Sequence, residues 1–192
     1  MSEGETESPD ASALAEIGRL REKIAQLEQR VRLLDDLAHQ DPLVGLPNRR
    51  GFMRELKNLI ARVGRYGESA AMLFVDIDGL KRINDGFGHR AGDEALIHVA
   101  ALLGSGVRES DWVARLGGDE FGILLVHASE ETARETAERL TAQIEQSEKL
   151  VDGERLPLGI AIGVAMIAGN DSPEDVIDRA DRAMYRDKSA AA

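Results

Sequence analysis

The chain has 192 residues, 43% of them hydrophobic, enough for one domain with a sizeable core and an appendage. With 35 acidic against 24 basic side chains the net charge is -11, which argues against non-specific binding to nucleic acid or an anionic membrane, so an anionic substrate would need local cations or a metal. The absence of cysteine excludes disulfides, thiolate metal sites and thiol catalysis and fits a reducing compartment.

The acidic start MSEGETESPD has no apolar core of a secretory signal, and the most apolar stretches, 70–75 and 158–168, are too short to span a bilayer. The expectation is a soluble, cytoplasmic protein. Residues 1–11 have the polar composition of a disordered tail. From residue 12 to 39 the pattern is helical. Ala13, Ile17, Leu20, Ile24, Leu27, Val31 and Leu34 alternate steps of four and three, the seam of a coiled coil. Ile17, Ile24 and Val31 fall at a, with Leu20, Leu27 and Leu34 at d, a choice that favours two parallel strands. In that register Glu16 meets Arg21 of a partner, Lys23 meets Glu28 and Arg30 meets Asp35, all attractive pairs. The alternative is one amphipathic helix packed on its own domain.

Asp41-Pro42 and Gly45-Leu46-Pro47-Asn48 break the helix and mark a boundary, so residues 40–192 form the main domain. A helix is expected over about 50–65, a buried strand over 71–77 and a helix over about 91–107. Two short apolar runs, 112–116 and 121–126, flank Gly117-Gly118 as a hairpin. A helix over about 130–146, a strand over 158–167 and a helix over 173–187 follow. Helices interleaved with strands predict an α/β or α+β fold with a mixed sheet.

Within Arg115-Leu116-Gly117-Gly118-Asp119-Glu120-Phe121, two glycines supply positive φ for a tight turn and two carboxylates follow at its tip. The same string can also be an ordinary solvated hairpin turn. At the end of the buried strand, Asp76 and Asp78 lie where α/β proteins place ligands, although a strand can also simply end in solvent there. Asp76 beside Asp119 would make an oxygen-rich site suited to Mg²⁺. Gly79-Leu80-Lys81-Arg82 follows at once, offering backbone amides at a helix start and two cations for phosphates.

DPLVGLPNRR, DIDGLKRINDGFGHRAGDEAL, RLGGDEF and ADRAMYRDK, in this order from Asp41 to Lys188, resemble the successive signatures of the GGDEF family of diguanylate cyclases. The resemblance implies a palm-like α/β domain of the nucleotide cyclase and polymerase type, behind the coiled-coil helix. It implies that two such domains face each other in a homodimer and condense two GTP into cyclic di-GMP, each 3′-hydroxyl attacking the opposing α-phosphate. By similarity Asp76, the Ile77 carbonyl, Asp119 and Glu120 would hold Mg²⁺ or Mn²⁺. Asp119 is also the family's candidate for accepting the hydroxyl proton. Lys81 would stabilise the transferring phosphate, with Gly79, Leu80 and Lys81 amides on the triphosphate and Gly117 and Gly118 framing it.

Lys188 matches a second phosphate contact, and the Arg that the family often has four residues later is here Ala192, implying weaker triphosphate affinity. Asn84 and Asp93 match the guanine contacts; a carboxylate such as Asp93 accepts from N1-H and the exocyclic amine together, a donor pair that adenine lacks. His89 falls at a nucleotide contact or a loop-orienting position. Asp78, Asp85 and Arg115 match supporting residues, and Asn48 and Arg49 the junction to the stalk. Arg108-Glu109-Ser110-Asp111 fits the family's RxxD pattern for inhibition by bound product, with Arg139 matching an arginine that can come from across the dimer; by itself RxxD is usually a solvated turn. Val44 and Gly79-Leu80 depart from the family's commoner Thr and bulkier pair. The other reading is a non-catalytic cyclic di-GMP receptor, which usually loses the acidic turn that this sequence keeps.

Overall fold

The computed structural model of the chain describes residues 9–148, 150–151, 153–156 and 158–191. Its contacts separate into two units, one up to Ala38 and one from His39 onward. The first is a single helix, α1 (Pro9–His39), which starts on a proline, the residue whose missing N–H costs nothing in a first turn. The helix therefore takes in residues 9–11 of the expected tail, while residues 1–8 lie outside the described ones. Its apolar seam is exposed: Ile17 is 45% accessible, Leu20 51%, Ile24 55%, Leu27 52% and Val31 64%. The side chains of Leu34 and Asp35 lie outside the described residues, as does Ala192.

The second unit runs α2 (Arg49–Tyr66), β1 (Ala70–Ile77), α3 (Leu80–Phe87), α4 (His89–Ser105), β2 (Trp112–Gly117), β3 (Glu120–Val126), α5 (Glu130–Glu145), β4 (Leu150–Val151), β5 (Glu154–Arg155), β6 (Ile160–Met166) and α6 (Pro173–Ala191). The main sheet has the order β2-β3-β1-β6, and β4 pairs only with β5. All pairings in the four-stranded sheet are antiparallel, which corrects the expected mixed sheet. The crossover through α3 and α4 does bring β2 back in the direction of β1. The hairpin then inserts β3 between them, so the two parallel-running strands never touch. The small β4–β5 hairpin was not expected, although Asp152-Gly153 is a hairpin turn signal in the sequence. Among the described residues no helix is long and apolar enough to cross a membrane.

β1 is buried on both faces, which is why its sequence reads as one apolar run instead of an alternation. Ala71, Leu73, Val75 and Ile77 face a core closed by α3, α4 and α5. Ala70, Met72 and Phe74 face a second core closed by α2 and α6. The two-residue period therefore sends Asp76, where the apolar run ends, to the α2/α6 side.

Two glycines set how closely helices approach that side. A Cβ on Gly122 of β3 would stand 2.7 Å from the Phe52 ring of α2, and one on Gly163 of β6 would stand 2.0 Å from the Ala180 carbonyl of α6. One residue before Ala180, Arg179 forks onto Asp171 at 2.6 and 2.9 Å, tying the helix to the β6–α6 connection and holding the Asp171 carboxyl below its ordinary value. α2 opens on Asn48, whose side chain accepts from the amides of Arg50 and Gly51, and closes on Gly67 in the left-handed region at φ 66°.

Candidate active site

The hairpin register places Glu120 directly opposite Asp76. Directly opposed antiparallel residues share a face, so both carboxylates point to the α2/α6 side at the open end of the sheet. The turn between β2 and β3 carries both glycines at positive φ, 158° for Gly117 and 44° for Gly118, with a register shift between Arg115 and Gly117. Its Asp119 carbonyl accepts from the Ile77 amide at 3.1 Å, so the turn is tied to the end of β1. The Asp78 amide donates to the Gly159 carbonyl at 2.9 Å, joining the same loop to β6.

The carboxylates repel one another. Burial pushes the Asp76 carboxyl above its ordinary value; hydrogen bonding and attraction from Lys188 oppose the rise, and Asp119 and Asp78 add to it. Glu120 is raised by burial, then by Asp119 and Asp76, with Arg49 at the start of α2 working against the rise and Asp181 adding to it. Lys188 of α6 reaches in to pair with Asp76 and, at 2.9 Å, with Asp78. Burial works against its charge, but the two carboxylate hydrogen bonds outweigh it and hold its proton more firmly than in an ordinary lysine.

Among the described residues no three acidic or histidine side chains already converge as a closed cage for a metal. The donors that do collect, Asp76, Glu120, Asp119 and the Ile77 carbonyl, are all hard oxygens. That set fits Mg²⁺, which takes one or two carboxylates and completes its shell with water and phosphate.

On the other side of the turn a cavity of about 470 Å³ is lined by Leu80, Lys81, Asn84, Asp85, His89, Leu96, Arg115, Gly118 and Asp119. Gly79, at φ 69°, turns the chain from β1 into α3, and no side chain caps the first amides of that helix. α3 and α4 meet through Gly92: a Cβ there would stand 2.0 Å from Asn84 Oδ1. Asn84 is thereby pressed against the first turns of α4. Asp93, the next residue, is exposed and does not line the cavity. Sequence-expected residues thus fall into two groups, Asp76, Glu120 and Lys188 on one side of the turn and Lys81, Asn84 and His89 on the other, with Asp119 reaching both.

Arg115 holds the turn. Its guanidinium donates to the Gly118 carbonyl at 2.7 and 3.1 Å and pairs with Asp41 at 3.2 Å in a largely buried contact. Asp41 also accepts from the amides of Leu43 and Val44. The sequence pointed to Arg115 but not to its partner: 74 positions separate the two, and Asp41 reads locally as part of a helix breaker. Asn48 caps α2, and its Nδ2 reaches the Gln40 carbonyl at 3.2 Å.

Arg108, Asp111 and Arg139 line one cavity of about 500 Å³ with His127, the one described non-glycine residue at positive φ. Asp111 also has local work, accepting from the Arg108 and Val126 amides at 3.0 Å each. Arg139 donates to the Gly106 carbonyl at 2.7 Å, so a single chain brings all three residues together, whereas the sequence reading allowed for an arginine from across a dimer.

Residues 38–192 match the family described as "Diguanylate cyclase, GGDEF domain". Diguanylate cyclase DgcP of Pseudomonas aeruginosa is 43% identical over 150 residues, 78% of this chain and 22% of that protein. The GGDEF domain of TpbB from the same organism, as a solved structure, is 39% identical with a TM-score of 0.74, covering 79% of this chain and 90% of that one. The coiled coil and GGDEF domain of DgcB from Caulobacter crescentus, solved with c-di-GMP, superimposes with a TM-score of 0.85 at 24% identity over 93% of this chain and 95% of that one, a likeness of fold. The chain spans 22% of DgcP and 39% of full-length TpbB.

Proposed function

We propose, from the premise that this chain belongs to the GGDEF-domain family of diguanylate cyclases, that it condenses two GTP into cyclic di-GMP and releases two pyrophosphates. The observation that carries this reading is the cross-strand meeting of Asp76 and Glu120 beside the Asp119 turn, next to a cavity lined by Lys81, Asn84 and His89. Each domain would hold one GTP, and each 3′-hydroxyl would attack the α-phosphate held by a facing copy.

Asp76, the Ile77 carbonyl, Asp119 and Glu120 would hold Mg²⁺ or Mn²⁺. The metal, when bound, stabilises charge on the attacking and leaving oxygens. The uncapped amides of Gly79, Leu80 and Lys81 face the β- and γ-phosphates, and the Lys81 ammonium stabilises the charge that builds on the transferring phosphate. Gly117 and Gly118 leave the turn without side chains where the nucleotide passes. Lys188 supplies a further cation to the triphosphate. Asn84 and Asp93 select guanine, His89 contacts the nucleotide, and Asp119 accepts the hydroxyl proton. GTP places the reaction in the cytoplasm.

The two facing copies are held by α1, whose exposed seam from Ile17 to Val31 is the surface a parallel partner helix would cover. Product inhibits at the Arg108, Asp111 and Arg139 cavity, where guanidinium groups fork onto guanine or phosphate. Arg108→Ala should raise the cyclic di-GMP level at which turnover stops by about tenfold or more while leaving the initial rate near that of the parent, read from progress curves. Arg115→Ala should cost about a hundredfold in turnover by loosening the turn, with melting behaviour showing a retained fold.

The test of the function itself is incubation of the purified dimer, freed of bound product, with GTP and Mg²⁺ and chromatographic separation of the nucleotides. Formation of cyclic di-GMP supports the reading. Unconverted GTP overturns it.

A further inference from the structure

Lys188 makes contacts that a simple phosphate ligand would not need. Its ammonium pairs with Asp76 and with Asp78 at 2.9 Å, and Asp76 is also the carboxylate that the proposed metal requires. We infer that Lys188 and the divalent cation compete for the same carboxylate oxygens, and that the triphosphate resolves the competition by drawing the ammonium away, so that metal and nucleotide bind strongly only together. This rests on the reading of the site given above.

Three observations carry it. The ammonium and a metal on Asp76 are like charges at one carboxylate, and they cannot share it without strong repulsion. Asp76 and Glu120 stand opposite one another beside the Asp119 turn, three carboxylates against the cations of Lys188 and Arg49, so negative charge is left over and a divalent cation gains from taking the place of the ammonium. The helix that bears Lys188 is held along its middle, by the close approach of Gly163 to Ala180 and Met184 and by the Arg179–Asp171 fork, while the Lys188 side chain keeps 31% of its surface in solvent. Exchange therefore needs only rotation of a flexible four-carbon stem, with no movement of α6.

The linkage has a definite sign. A metal arriving alone must displace the ammonium from Asp76 and then stand close to that like charge, which only Asp78 still holds. A nucleotide arriving with the metal supplies phosphate oxygens for that ammonium, so each ligand raises the affinity of the other by the same factor. A purely structural tie between α6 and β1 predicts the reverse for a neutral substitution, since loosening the site would weaken metal binding.

The experiment is Mn²⁺ titration of the full chain, with free Mn²⁺ read by electron paramagnetic resonance, first without nucleotide. Lys188→Met should bind Mn²⁺ about tenfold more tightly than the parent, and Lys188→Arg, which keeps the charge, should stay near the parent. Lys188→Gln serves as a second neutral variant should the methionine form fail to fold. Asp76→Asn should lose the Mn²⁺ site. With GTP lacking its 3′-hydroxyl present, the parent's Mn²⁺ affinity should rise sharply, and the rise should be about tenfold smaller in the neutral variants. Neutral variants that bind Mn²⁺ no more tightly than the parent without nucleotide overturn the inference. If the nucleotide binds to no form while the neutral variants still gain Mn²⁺ affinity, the GTP reading fails and the competition stands.

Discussion

Asp76→Asn is expected to lower cyclic di-GMP synthesis by about a thousandfold or more while leaving the fold as stable as before or more so. The activity loss follows from removing the carboxylate at the end of β1 that the proposed metal needs. The stability result follows from burial. Asp76 keeps its proton more readily in the folded chain than its ordinary value of 3.8 allows, chiefly because burial disfavours the charge, with repulsion from Asp119 and Asp78 adding to this. A carboxyl raised in this way supports folding fully below its unfolded value and loses that support as pH rises through the folded one. At neutral pH the ionised side chain is therefore a cost that asparagine removes, and Lys188 retains Asp78 as a partner. Denaturation curves of the two proteins should coincide near or below pH 4 and favour the variant at pH 7. A variant that unfolds at neutral pH would contradict this account, and one that remains active would move the metal site elsewhere.

Removing residues 1–38 should slow turnover by up to about a thousandfold at micromolar protein and make the rate second order in protein. Tethering two domains through a short dimeric stalk holds their half-sites at an effective concentration on the order of millimolar, and without the stalk that falls to the bulk value. The exposed seam of Ile17, Leu20, Ile24, Leu27 and Val31 would supply the apolar surface for the proposed association. Sedimentation should give a monomer for the truncated chain, and crowding it to high concentration should recover much of the rate. First-order behaviour with an unchanged rate at low concentration would show that the stalk plays no part in assembling the site.

The candidate site was legible to different depths. Asp119 and Glu120 could be found because two glycines and a hairpin pattern announce a turn, and Asp76 because an apolar run stops at it. The pairing of Asp76 with Glu120 is a matter of strand register, and the sequence carried no local sign of which strand β1 would choose as neighbours. Asp41 was missed as the partner of Arg115 because a contact across 74 positions leaves no periodic trace. The glycines at 92 and 163 read as ordinary helix or strand residues until Asn84 and the α6 backbone were seen pressed against them. Lys188 was identified through resemblance as a phosphate contact, while its ion pairs with Asp76 and Asp78 came from the packing of α6 on β6.

Local chemistry determined where elements begin and end: prolines and glycines break the chain, a two-residue or near-four-residue period sorts strands from helices, and a buried strand is apolar throughout. Those signals act over a few residues, so the sequence by itself specified the longer helices, the start but not the extent of α3, the hairpin, the family signatures and the chemical types present at the site. Tertiary structure alone decided that the sheet is wholly antiparallel, that β3 lies between β1 and β2, and that Lys188 rests on the carboxylates of the proposed metal site. Each of these is a choice among long-range partners of similar local propensity, and it is settled by the closure of two cores on opposite faces of one sheet.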